Sequence, residues 1–189
     1  MLTMPAPMLF HGVMLRLLIL LFFFWGAPAM AQPQALSIPA HPAEQAANGP
    51  AVLDAMLWQP AGRGPHPAII LLHGCAGMRN RAGQPFPRDT DWAQRLSRLG
   101  YLVLQVDSLT PRGESSLCGQ GNDRRIRVSV ERARDAYAAL LFLQARSDVK
   151  PDRIALMGWS NGGGTVLWTL GRDNRARPAG LRHDFADAV

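Results

Sequence analysis

Residues 153–164 constrain this chain most: Arg-Ile-Ala-Leu-Met-Gly-Trp-Ser-Asn-Gly-Gly-Gly, a short apolar run that ends in a serine framed by glycines. Ile154 to Met157 is continuous in apolar residues, the pattern of a strand buried on both faces, and Pro151-Asp152 turns the chain into it. After the serine, Val166, Leu167 and Leu170 are spaced as the apolar face of a helix that Gly171 would stop. A strand that passes into a helix this abruptly presses its two flanks together. Gly158 and Gly162 then stand where a Cβ would clash, and the hydroxyl of Ser160 is left exposed. The stretch reads as an elbow carrying a nucleophile; a glycine-rich structural turn is the plainer alternative.

The same alternation of strand and helix runs through the preceding chain. Residues 51–58 read as an edge-side strand. Ala68 to Leu72 is a second buried run and ends in His73-Gly74-Cys75-Ala76-Gly77, a loop that presents backbone N–H groups with little side-chain obstruction and so suits an oxyanion hole. His73 is placed to shape that loop through hydrogen bonds, with the role of catalytic base as the alternative. Asp89 or Thr90 can cap a helix carrying Trp92, Leu96 and Leu99, with Gly100 as its stop. Tyr101 to Val106 is the next strand. It leads to Arg112, which could grip a substrate carboxylate or hold its own loop through Asp107 or backbone carbonyls. Asn122 or Asp123 can cap the longest helix, whose stripe is Ile126, Val130, Ala133, Tyr137, Leu140 and Leu141; Arg124, Arg125, Arg127, Arg132 and Arg134 read as its solvated face. Phe185 to Val189 reads as the opening of another strand.

Strands that are each continuous in apolar residues, alternating with helices, imply an α/β fold: a mostly parallel sheet with helices on both faces in three layers. Sites in such sheets form at the carboxyl ends of strands, and His73 to Gly77, Asp107 to Gly113 and Ser160 all follow strands. A hydrophobic content of 48% over 189 residues is enough for the core of one domain.

The first 31 residues stand apart. Arg16 precedes an apolar run from Leu17 to Trp25 that is too short to span a bilayer, and Ala29-Met30-Ala31 offers small residues for cleavage before Gln32. A signal peptide over residues 1–31 is expected, with an uncleaved anchor as the alternative, followed by an exposed, flexible lead-in over 32–50 with at most a weak strand near Leu36 to Ile38, and the main domain from 51 to 189. After cleavage no stable membrane span is expected. Export to a periplasmic or extracellular, oxidising compartment would let the two cysteines, Cys75 and Cys118, pair, since both follow strands expected to be close; two free thiols are the alternative. The net charge of +6 is almost entirely arginine and spread over several elements, so nucleic acid is not an expected partner. Neither a metal nor an organic cofactor is implied.

Taken together, His73-Gly74-Cys75-Ala76-Gly77, Gly100-Tyr101 leading to Val106-Asp107-Ser108 and Pro111-Arg112-Gly113, and Asp152-Arg153-Ile154 running into Gly158-Trp159-Ser160 resemble the dienelactone hydrolase family of the α/β-hydrolase fold. The resemblance covers about residues 51–189. It implies Ser160 as nucleophile and the backbone amides of Asn161 and of Cys75 or Ala76 as oxyanion donors, with Trp159 and Arg112 as candidate substrate contacts. The substrate it implies is a small ester, thioester or lactone. Serine stands where the family's namesakes carry cysteine. The family's acid and histidine follow later strands, so they are expected beyond Val189, and the chain as given is expected to hydrolyse poorly. His183 precedes the last strand, away from Ser160, and reads as a surface residue. A serine peptidase of the prolyl-oligopeptidase type has a similar elbow but calls for a propeller domain that the residues before Ala51 cannot hold. A non-catalytic binding relative is the third reading.

Overall fold

The computed structural model describes residues 32–121 and 125–189; the expected signal segment and the capping residues Asn122 and Asp123 lie outside them. Among the described residues, six strands form one sheet in the order β1-β2-β4-β3-β5-β6. They are β1 Gln34–Pro39, β2 Val52–Trp58, β3 His66–Leu72, β4 Leu102–Asp107, β5 Val149–Gly158 and β6 Asp187–Ala188. The helices are α1 Pro42–Ala46, α2 Pro87–Arg98, α3 Glu131–Gln144 and α4 Asn161–Thr169. Strands β4, β3, β5 and β6 run parallel, while β2 is antiparallel to both β1 and β4.

The period of two along a strand sorts the core into two layers. Ala68, Ile70 and Leu72 of β3 face one side with Leu102, Leu104 and Val106 of β4, and Ala133, Ala136, Tyr137 and Leu140 of α3 and Val166 of α4 cover them. Ile69 and Leu71 face the other side with Met56, Trp58 and Val103, under Ala93 and Leu96 of α2. Helices therefore lie on both faces, as the continuous apolar strands require.

Several details differ from the expectation. Within residues 32–50 the weak strand expected near Leu36 to Ile38 is longer and part of the sheet: β1 pairs with β2 from Gln34↔Leu57 to Pro39↔Val52, and Ile38 and Ala40 are buried. Strand β2 is consequently interior rather than at the edge. Helix α2 starts at Pro87 with no side-chain cap, and proline at the first helical position gives up no hydrogen bond there. Helix α3 starts only at Glu131, whose carboxylate accepts the N–H of Arg127 at 2.8 Å. Helix α4 buries Gly162, Thr165, Val166 and Thr169, and turns Leu167, Trp168 and Leu170 outward. No helix of the described residues is long and apolar enough to cross a membrane.

Candidate active site

The elbow forms as its sequence dictates. Strand β5 ends at Gly158, α4 starts at Asn161, and Ser160 between them has φ 53° and ψ −118°. A non-glycine residue with positive φ costs on the order of 1–3 kcal/mol and persists only where its surroundings impose it. Those surroundings are tight: a Cβ on Gly158 would lie 2.5 Å from the carbonyl carbon of Gly162, and one on Gly162 would overlap the Leu72 carbonyl oxygen. Ser160 is exposed, and no histidine or carboxylate among the described residues hydrogen-bonds it.

The loop after β3 packs directly against this serine. A Cβ on Gly74 would sit 3.6 Å from the Trp159 carbonyl oxygen and 3.8 Å from Ser160 Cβ, ordinary van der Waals contact, so the loop backbone runs alongside Ser160. The N–H groups of Cys75, Ala76 and Asn161 have no backbone or side-chain acceptor among the described residues. Unpaired N–H groups beside an exposed hydroxyl are suited to a developing negative charge.

Cys75 and Cys118 are disulfide-bonded with Cα atoms 5.0 Å apart, and the Cys75 carbonyl also accepts the Leu117 N–H at 2.7 Å. Closing a loop of 43 residues stabilises a fold by about 4 kcal/mol in the chain-entropy account. Here it also ties the loop beside Ser160 to the segment after β4, above a small apolar cluster of Leu109, Leu117 and Ile126.

His73 is wholly internal. Its Nε2 lies 3.1 Å from the Ser108 N–H and must therefore accept, which leaves Nδ1–H to donate to the Gly74 carbonyl at 2.7 Å. Burial, reinforced by the nearby Arg132 charge, lowers its pKa from 6.5 to about 3, so it is neutral and its approach to Asp107 at 4.0 Å is not an ion pair. With both nitrogens occupied, it shapes the loop and is not the base for Ser160. The folded state resists a proton that the unfolded chain accepts, so the stability His73 contributes is complete above about pH 6.5 and is lost as pH falls toward 3. The loss is at most a factor of ten in the folding constant per pH unit. Asp135, whose pKa burial raises above 3.8, acts in the opposite sense. The two are separated by comparing urea midpoints from pH 7.5 to 4.5 for the wild type and His73→Asn, which should show the flatter profile; parallel profiles would refute this role.

Arg112 is committed to the fold. One of its terminal nitrogens donates to Ser108 O at 2.7 Å and to Asp135 at 2.9 Å, and the other donates to Asp135 at 2.8 Å and to Glu44 at 3.0 Å. Its partners are thus Asp135 and Glu44, not Asp107, whose carboxylate accepts the N–H groups of Leu109 and Thr110 and the Thr110 hydroxyl. The reading of Arg112 as a carboxylate clamp gives way to the loop-holding one. The Trp159 ring, offered as a substrate contact, packs 6.0 Å from Trp92 with the Arg88 guanidinium 4.9 Å above it.

Arg132 is the residue the sequence misplaced. It is fully buried, and donates to Asn161 Oδ1 and, at 2.7 Å, to the His73 carbonyl. The available signal was the spacing Arg132, Ala136, Ala139 and Leu143, a buried stripe beside the expected one. His183 accepts from Gln144 at 2.7 Å through its carbonyl, at the far end of β5 from Ser160. Among the described residues no group of three or more histidine, cysteine or acidic side chains could hold a metal.

The profile of the prolyl oligopeptidase family matches residues 88–184, just over half of the chain and the part that carries the elbow. The chain belongs to the prolyl oligopeptidase family. Among curated proteins it is similar to YtaP of Bacillus subtilis (strain 168), named as a hydrolase: 29% identity over 128 residues, 60% of this chain and 42% of that one. The chain thus spans less than half the length of such relatives. Dipeptidyl peptidase 4 of Porphyromonas gingivalis shares the fold with a TM-score of 0.53 and 24% identity, over 76% of this chain and 19% of that one. A dienelactone hydrolase of Klebsiella pneumoniae shares it at 0.50 and 18%, over 71% and 54%. The expected kinship with dienelactone hydrolases therefore stands at the level of the α/β-hydrolase fold, and hydrolases are what the chain is related to.

Proposed function

We propose that this protein is an exported serine hydrolase that cleaves a small ester, thioester or lactone through an acyl-enzyme. One observation carries this reading: Ser160 is exposed in a strained conformation beside the acceptor-less N–H groups of Cys75, Ala76 and Asn161. In the reaction Ser160 Oγ bonds to the substrate carbonyl carbon while its proton passes to a base, and the carbonyl oxygen gathers charge against those amides. Collapse restores the C=O and expels the leaving group, which takes up the proton; water then releases the acid by the same steps. Among the described residues no histidine hydrogen-bonds Ser160. Export is consistent with the disulfide, since such bonds persist in oxidising compartments.

The family match favours a second substrate class, peptides, on the same serine. A fluorophosphonate probe tests the shared chemistry: the exported wild-type protein should be modified at Ser160, Ser160→Ala should not, and mass spectrometry of the labelled chain should find Gln32 at its N-terminus. Label on another residue removes the nucleophile. Comparing a p-nitrophenyl ester with a peptidyl p-nitroanilide then decides the class, with turnover of the anilide at a rate rivalling the ester overturning the ester reading.

A further inference from the structure

We propose that Arg132 is a positioning residue that holds the two halves of the anion-stabilising site in register, one guanidinium gripping Asn161 of α4 and the His73 carbonyl of the β3 loop together. The inference rests on the serine hydrolase reading above. Its starting point is a cost: a guanidinium taken fully out of water loses several kcal/mol of hydration, and Arg132 has no exposed surface. Burial lowers its pKa to about 10, so it remains charged at neutral pH. The compensation is incomplete, because its Nε has no partner. A core requirement alone would be met by an apolar side chain of similar size. What the arginine adds is a planar fork that reaches two chain segments 88 residues apart, from His73 to Asn161, at one point between them.

Those two attachment points flank the proposed donors. Asn161 carries one donor on its own backbone, and its side chain is what Arg132 holds. The His73 carbonyl is two and three residues before the N–H groups of Cys75 and Ala76, across Gly74, whose missing side chain leaves the peptide free to rotate unless something anchors it. The disulfide fixes the far side of Cys75 and Arg132 fixes the near side. An oxyanion donor displaced by about 1 Å can cost on the order of a hundredfold in rate. Lysine keeps the charge but, as a point donor on a flexible stem, cannot reproduce the fork.

The test measures the rate of Ser160 modification in the full-length protein by a phosphonate (P=O) and by its phosphonothioate (P=S), whose sulfur accepts hydrogen bonds poorly from oxyanion amides. Arg132→Met and Asn161→Ala should each slow P=O labelling about 100-fold and bring the P=O to P=S rate ratio down toward the ratio of the two probes in solution. Arg132→Lys should recover only part of it. A purely structural role would lower both rates together and leave the ratio at the wild-type value. If the wild type is not labelled at Ser160, the hydrolase reading fails and this proposal with it. If the wild type is labelled and both variants, folded by near-ultraviolet circular dichroism, keep its ratio, the positioning role alone is overturned. Should Arg132→Met not fold, Asn161→Ala decides by the same criterion, because it removes the guanidinium's hold on α4 while Arg132 itself stays in place on the His73 carbonyl.

Discussion

Gly162→Ala will leave little or no soluble folded protein. The added Cβ would overlap the Leu72 carbonyl oxygen and lie 2.8 Å from that of His73, and both are backbone atoms of the central strand end, so no side chain can swing away. Relief requires α4 to lift off β3, which would uncover Val166 and detach the elbow together. Losses above about 4 kcal/mol are exceptional for one substitution, and this one falls among them; domains have only about 5–15 kcal/mol to lose. Gly164, two residues on, supplies the comparison. A Cβ there meets nothing closer than Val128 Cγ1 at 3.9 Å, so Gly164→Ala should stabilise the helix by up to about 1 kcal/mol. The yield of soluble protein checks Gly162→Ala and the urea midpoint checks Gly164→Ala; soluble Gly162→Ala with a wild-type midpoint would show that the joint is looser than its geometry.

Arg112→Met should cost about 3–5 kcal/mol, the range for removing one partner of a buried ion pair. Arg112 is 7% exposed, and it bonds Asp135, which is fully buried, and Glu44, which is nearly so. Burial works against its charge, yet Asp135 and Glu44 hold its pKa above the ordinary value, so the arginine stays ionised and its loss strands Asp135 and takes one of two partners from Glu44. Arg134 would still reach Glu44 at 2.8 Å but not Asp135. Asp135 should then hold a proton to higher pH, and the variant should recover part of its stability as pH falls from 7 toward 5. Chemical denaturation at the two pH values reads this directly; a loss no larger than that from the exposed Arg95→Ala at both would refute it. The Arg95 to Asp91 pair has both side chains more than half in solvent, so its removal should leave the midpoint unchanged.

What could be read from the sequence was whatever local backbone sterics and strand patterning decide. Ile154 to Met157 had to be an interior strand, and Gly158 and Gly162 had to be glycines if a helix followed at once. The pairing of Cys75 with Cys118 followed from two strands that proved to be neighbours, β3 and β4. The misses share a different cause. Arg132 lies among five arginines in eleven residues, and composition cannot tell which of them the helix turns inward once the Asn161 side chain and the His73 carbonyl are available as partners. Leu36 to Ile38 is so short and so polar in its flanks that it announces at most a weak strand; it becomes a full one because β2 offers an edge of unpaired hydrogen-bonding groups. Leu167 was assigned to the buried face because it is apolar, whereas the small residues Gly162, Thr165 and Thr169 let α4 approach the sheet on the opposite side.

The end of β3 has a consequence for how such a protein can diversify. Three successive residues there each answer to a different part of the chain: Leu72 to the backbone of Gly162, His73 to Ser108 and Arg132, and Gly74 to Ser160. The Leu72 carbonyl and the His73 ring and carbonyl are thus held by atoms far off in sequence, while Gly74 has room for a Cβ in ordinary contact. Residues 79–84 just beyond are organised in the opposite way, since Asn80 Oδ1 takes the N–H groups of Ala82 and Gln84, and Arg79 donates to Gly83 O, so that the turn satisfies its own polar groups. Change along this stretch is thereby partitioned: the strand end is fixed by atoms from distant parts of the chain, and the turn beside it can be substituted or lengthened without disturbing them.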